Sequence, residues 1–158
     1  MPPAAPTRLR PTRLAAVAAC ALGGLASCGG EAPVDPWTDV ACEAALKKSD
    51  AVDALTWFKD PYGGPKRLGA LSNDEGLAFA HKLDARGATR VVAVGVTAVK
   101  GAEPYERAEG LVVGLPDDPA KRLSLFELYA RQCHAAGVRP RPDADQKYLH
   151  LPWGRDAG

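Results

Sequence analysis

Past residue 37, segments with apolar residues at helical spacing alternate with segments that are β-branched or apolar at every second position. Across Thr38 to Phe58, Cys42, Ala45, Leu46 and Ser49 suit one helix face, and Ala54-Leu-Thr-Trp-Phe58 suits either a helix end or a strand; the reading is one N-terminal helix. Lys59-Asp-Pro-Tyr-Gly-Gly-Pro65 is a turn-rich loop. Ser72-Asn-Asp-Glu75 is a capping box, in which each side chain can satisfy the other residue's free backbone N–H. It predicts a helix from Asn73 to about Arg86, with Leu77, Phe79, Ala80 and Leu83 inward and Gly87 as the stop. Arg90 to Val99 is apolar and β-branched on both faces, the pattern of a strand covered on both sides. Lys100 to Arg107, with Gly101 and Pro104, reads as a loop, and Leu111, Val113 and Leu115 line one face of a second strand. Asp118 followed by Pro119 is an N-cap with proline at the first helical position. The helix it opens carries Leu123, Phe126, Ala130 and Cys133 at helical spacing and ends at Gly137. Lys147 to Trp153 makes a last strand, which Pro152 confines to a sheet edge.

The order helix, strand, strand, helix, strand is an α+β arrangement. With a short strand from Lys66 to Leu71 in front, it becomes βαββαβ, the ferredoxin-like sandwich, here with an extra N-terminal helix. The expected divisions are a helix and loop over 38–65, the ferredoxin-like domain over 66–153, and a disordered tail over 154–158. The stretch from Leu111 to Leu151, with Leu-Pro-Asp-Asp-Pro at 115–119 and Pro142-Asp-Ala-Asp-Gln-Lys-Tyr-Leu149, resembles uncharacterised bacterial envelope proteins. No activity comes with that resemblance.

The first thirty residues have a different logic. Arg8, Arg10 and Arg13 precede any acidic residue, and the first carboxylate is Glu31. An apolar run, Leu14 to Leu25, follows; at about 1.5 Å per residue it rises only ~18 Å, well short of a ~30 Å hydrocarbon core. A basic start and a short apolar run are the layout of an export signal rather than of a transmembrane helix. Leu25-Ala26-Ser27-Cys28 then resembles the lipobox of bacterial lipoproteins. The resemblance implies a signal peptide over 1–27, a diacylglyceryl thioether on Cys28, and acyl chains such as palmitate anchoring the chain in a membrane. The protein would then face the periplasm or the exterior. Two or more acyl chains give stable anchoring where one gives only marginal binding. Cleavage as an ordinary secretory signal fits less well, since Leu25 would stand three residues before the cut, where a small residue is wanted. Val17-Ala-Ala-Cys20 also fits a lipobox but would leave too short an apolar run. Residues 28–37, rich in glycine and proline, read as anchor and tether.

Cleavage before Cys28 removes three arginines, leaving 17 basic side chains against 19 acidic ones. No basic stripe remains to follow a phosphate backbone, so nucleic acid is not the expected partner. Of four cysteines, Cys20 leaves with the signal and Cys28 takes lipid. Cys42 and Cys133 remain, and in an oxidising compartment an even remainder favours one disulfide, worth roughly 4–5 kcal/mol for a loop of about 90 residues. Two buried free thiols are the alternative. Neither cysteine has a partner at zinc-site spacing, so no metal or other cofactor is expected.

The remaining candidate chemistry is sparse. His81 lies three residues before Asp84 on a helix, His134 is next to Cys133, and His150 alternates with Leu149 and Leu151 on the less buried side of an edge strand. An enzyme built on these histidines and a nearby acid ranks last, because no nucleophile elbow or zinc-protease motif accompanies them. The glycines of Tyr62 to Gly69 lack the spacing of a phosphate loop. Asp117-Asp118 is explained by helix capping, and Asp143 with Asp145 lacks the further ligands of a calcium loop. Trp57, Tyr62 and Trp153 could form a platform for a glycan or small ligand if exposed together; as core and rim they would not. The leading expectation is a lipid-anchored, non-enzymatic α+β module that contacts another envelope protein. A glycan- or ligand-binding domain using those aromatics is the alternative.

Overall fold

The computed structural model describes residues 31–153; the lipobox with Cys28, Cys20 and the expected tail at 154–158 lie outside the described residues. The element order is α1 (Asp39–Leu46), β1 (Val52–Asp53), α2 (Ala54–Lys59), β2 (Lys66–Leu68), α3 (Asn73–Ala85), β3 (Arg90–Val94), β4 (Thr97–Val99), β5 (Tyr105–Ala108), β6 (Gly110–Gly114), α4 (Pro119–Ala135) and β7 (Tyr148–Pro152). The protein is α+β. Among the described residues no helix is long and apolar enough to cross a membrane.

A four-stranded antiparallel sheet in the order β1-β3-β6-β7 forms the centre. Its strands alternate, and both faces are covered. One face presents Val91, Ala93, Leu111, Val113, Leu149 and Leu151 to Ala80 and Leu83 of α3 and to Leu125, Leu128, Tyr129 and Cys133 of α4. The other presents Val92, Val94 and Val112 to Cys42 and Ala45 of α1. The double-sided apolar pattern of Arg90–Val94 is thus two cores sharing one strand.

The predicted strand Arg90–Val99 exists but bends. After Val94, Gly95 takes φ +65°, and the chain continues as β4 in a second sheet of order β2-β5-β4. The partner strand bends at the same level, between Ala108 and Gly110, so Val94↔Gly110 and Thr97↔Arg107 belong to one long hairpin in one register. A side chain at Gly95 would meet Glu109 Cγ at 2.6 Å in a conformation that disfavours Cβ anyway. The segment read as a loop, Lys100 to Arg107, therefore contains most of β5.

This layout corrects the ferredoxin-like expectation. The strand at Lys66 forms, but it pairs with β5 in the second sheet. β6 and β7, which flank α4, are direct antiparallel neighbours, whereas a split βαβ needs parallel strands on either side of its helix. The single helix expected over 38–58 is two short ones. Asp53 stops the continuity: its carboxylate accepts the Thr56 N–H at 2.8 Å and caps α2, while Val52–Asp53 pairs with β3.

Several local signals hold as read. The Ser72/Glu75 capping box is complete, Asp118 caps α4 with Pro119 at its start, and Gly87 and Gly137 end their helices at φ +89° and +72°. β7 is an edge strand that ends on Pro152.

The disulfide expectation is overturned. Cys42 and Cys133 are both free and fully buried, Cys42 in the core under α1 and Cys133 in the core under α4. The sheet lies between them. α1 is held instead by its core contacts and by a polar strap just before it. The Arg139 N–H donates to the Pro33 carbonyl at 2.7 Å and the Asp35 N–H to the Arg139 carbonyl at 2.9 Å. The Tyr129 hydroxyl donates to Asp35 Oδ2 at 2.7 Å, and Arg141 Nη1 donates to the Trp37 carbonyl at 2.9 Å. The segment read as a tether over 28–37 is therefore bound into the domain from Pro33 onward.

Candidate docking groove on the outer face of α4

Helix α4 carries more apolar residues than one face can hold. The row that packs inward is Leu125, Leu128, Tyr129 and Cys133. Of the residues the sequence placed inward, only Cys133 is fully buried; Leu123 is 64 % exposed, and Phe126 and Ala130 are half-buried. Leu123, Phe126 and Ala130 fall at i, i+3 and i+7, a second apolar row that nothing among the described residues covers. The signal was in the sequence as a surplus, since seven apolar positions between 123 and 133 exceed one stripe.

This outer row lines two adjoining depressions. One, of about 540 Å³, is bounded by Asp117, Pro119, Arg122, Leu123, Phe126, Asp143 and Asp145. The other, of about 400 Å³, shares Leu123 and Phe126 and continues along Ala130 to Pro140, Arg141 and Pro142. Arg122 grips Asp143 bidentately, Nη2 to Oδ1 at 2.5 Å and Nε to Oδ2 at 3.1 Å, and also reaches the Gln146 carbonyl at 3.2 Å. The guanidinium holds the Asp143 carboxyl below the usual carboxylate range, and the carboxylate raises Arg122 in turn. The wall formed by 142–146 is tied to itself: Gln146 Oε1 accepts the Ala144 N–H at 2.7 Å, and Asp143 Oδ1 accepts the Asp145 N–H at 3.2 Å. Asp145 sits at φ +57°, a conformation aspartate tolerates better than most residues. With Asp143 engaged by Arg122, Asp117 and Asp145 are the exposed acids of the rim.

The residues singled out from sequence do not assemble elsewhere. Trp57 is 5 % exposed, and its indole N–H donates to Glu106 Oε2 at 2.7 Å. Trp153 packs edge-on against Phe79, and Tyr62 is 93 % exposed. Trp57 thus leaves the aromatic platform as a core residue. His81 and His134 are exposed on different helices. His150, expected on the less buried side of its strand, is 5 % exposed, because Trp37 stacks on it with ring centroids 3.8 Å apart and planes at 9°. Among the described residues no group of three or more His, Cys, Asp or Glu is placed to hold a metal ion.

A polar cluster that sequence reading missed lies under the 60–65 loop. Lys66 has no exposed side-chain surface; its Nζ is 2.9 Å from Glu106 Oε2 and 3.9 Å from Asp60 Oδ2. Its ammonium and the Trp57 indole together hold the Glu106 carboxyl below the usual range, against the opposing effect of burial. Gly63 makes the cover possible, since a Cβ there would lie 2.0 Å from Nζ. The cluster is closed over rather than open to a substrate, and it joins β2 and β5 to α2.

No protein-family model matches the chain, and neither a curated protein nor a solved structure gives a significant match.

Proposed function

We propose that the chain is a lipid-anchored protein of the bacterial cell envelope, held by acyl chains on Cys28, and that its domain is a non-enzymatic docking module. The groove beside α4 takes a segment of a partner protein that carries an apolar side chain next to a basic one. The observation behind this reading is the uncovered row Leu123–Phe126–Ala130, bordered by Asp117, Asp143 and Asp145 with Arg122 as the cation among them. An apolar stripe supplies burial, and the unpaired rim acids select for positive charge and speed encounter. The lipid half of the reading rests on the ordered N-terminal pattern ending in Leu25-Ala-Ser-Cys28.

A photo-crosslinking residue at position 123, in cells expressing the full chain, tests the docking half. The expected result is a discrete adduct that is lost when Asp117→Lys and Asp145→Lys are introduced together, with no equivalent adduct from position 81 on α3. An adduct pattern that is the same from both positions, or indifferent to the charge reversal, refutes it. Cys28→Ser tests the anchor: palmitate labelling should disappear, and labelling that persists refutes it.

A further inference from the structure

The strap that binds Pro33 to Arg139 fixes how far the domain can stand from a lipid on Cys28. We infer that the outer face of α1 lies against the membrane surface, with Val40 and Ala44 on the lipid and Lys47 and Lys48 on anionic headgroups. The inference rests on the lipid anchor proposed above. From Cys28 to Pro33 is a span of five residues, which reaches at most about 17 Å when fully extended. A domain of this size is about 27 Å across even when measured as twice its radius of gyration. The leash is shorter than the domain, so only the sides of the domain near Pro33 can face the bilayer.

The strap leads directly into α1, on the sheet face opposite α3 and α4. The inward side of α1 is Cys42 and Ala45, its exposed positions are Val40 and Ala44, and the exposed Lys47, its C-cap, and Lys48 follow directly at its C-terminal end. Val40 is 77 % exposed, and Val34, in the strap itself, is 44 % exposed. Two of the four large hydrophobic residues that the described part exposes are therefore within twelve residues of Cys28. The acids nearby are largely turned away. Asp39 accepts the N–H groups of Lys147 and Tyr148, Asp35 is buried against Tyr129, and Glu31 pairs with Arg139. Glu43, half-buried, stands on the flank of the row. An apolar row ending in two lysines suits an interface that is apolar below and anionic above.

The test uses the full-length, lipidated protein in vesicles of phosphatidylcholine with phosphatidylglycerol that carry a nitroxide quencher on the lipid. A fluorophore is placed on Ala44→Cys or, for comparison, on His81→Cys of α3. Labelling is selective: Cys42 and Cys133 have no exposed surface, and burial pushes their thiols up to about 12 and about 11, far from the reactive thiolate. The label at 44 should be quenched several-fold more than the label at 81. Lys47→Glu with Lys48→Glu should narrow that contrast, each lysine near an anionic surface being worth about fivefold in local affinity. Equal quenching of both labels on lipidated, vesicle-bound protein overturns the inference and leaves the anchor standing. Protein whose mass shows no acyl chains, and which does not float with the vesicles, overturns the anchor and the inference with it.

Discussion

Mild acid should weaken the domain through one side chain, His150. It is 5 % exposed, neither ring nitrogen has a hydrogen-bond partner among the described residues, and Trp37 covers it face to face at 3.8 Å. Burial alone pushes its pKa down to about 3 from the usual 6.5. The folded state therefore disfavours the charged ring, while the unfolded chain accepts it freely. The stability that comes from keeping His150 neutral is complete above about pH 6.5 and is lost progressively as the pH falls toward 3. At about 1.36 kcal/mol per unit, the loss is roughly 2 kcal/mol at pH 5, and it approaches about 5 kcal/mol only near the bottom of the window. For a domain whose total stability is of order 5–15 kcal/mol, the first figure alone is a visible fraction.

The carboxylates with lowered pKa values, Glu75, Glu106 and Asp143, also favour unfolding in acid, but their effect begins only as the pH falls into the ordinary carboxylate range. The interval between pH 7 and 5 is thus dominated by His150. Urea midpoints of the protein, read by tryptophan fluorescence at pH 7.5, 6 and 5, measure the slope. His150→Phe keeps a ring against Trp37 and removes the titration; it should flatten the profile over that interval. It should also cost little at pH 7.5, where the native ring leaves both nitrogens unsatisfied. The same slope in His150→Phe as in the parent, or no slope in the parent, refutes the argument.

Three further outcomes follow from the packing. In the native protein Cys42 and Cys133 should resist alkylation, and after denaturation both should react without any reductant, as intact mass before and after treatment will show. Gly76→Ala should lower the urea midpoint by roughly 1–3 kcal/mol equivalent, because the new Cβ would sit 2.4 Å from Phe58 Cζ where α2 crosses α3. Glu106→Gln should destabilise by about 2 kcal/mol, since it leaves a fully buried ammonium with Asp60, at 3.9 Å, as its only carboxylate among the described residues, and Lys66→Met in the same background should recover part of the loss.

Much of the local structure was legible because it depends on near neighbours. The Ser72/Glu75 box, Asp118-Pro119 and the stop glycines 87 and 137 each act within one turn of helix, and each is found where the sequence puts it. β1, β4 and β5 are two to four residues long, too short for period-two alternation to register. They exist through pairing with distant strands, and the bend at Gly95 sends a single apolar run into two sheets. The cysteines failed for a related reason. Both are on inward helix faces, but periodicity cannot tell which side of the sheet a helix covers.

The candidate site was hidden in the same way, and the reason bears on what it does. The seven apolar positions of α4 between 123 and 133 admit two inward faces, and spacing alone selects Leu123–Phe126–Ala130 as readily as Leu125–Leu128–Tyr129. What decides is Tyr129: its ring fills the core while its hydroxyl reaches Asp35 and also accepts the Arg141 N–H at 3.0 Å, tying the strap before α1 to the chain after α4. Rotating the helix to bury Leu123 would pull that hydroxyl out of both bonds and leave Asp35 Oδ2, in a residue 4 % exposed, without its donor, only the Trp37 N–H remaining on Oδ1. The two lost hydrogen bonds, together with the exposure of Leu125 and Leu128 that the same rotation brings, cost more than Leu123 and Phe126 would gain by burial. The strap at the N-terminal edge of the domain therefore fixes the rotation of α4, and with it the exposure of the groove. An event that loosens the strap should disturb docking at Leu123, and Tyr129→Phe is the least intrusive way to check: crosslinking from position 123 should weaken although no groove-lining atom beyond that hydroxyl is removed.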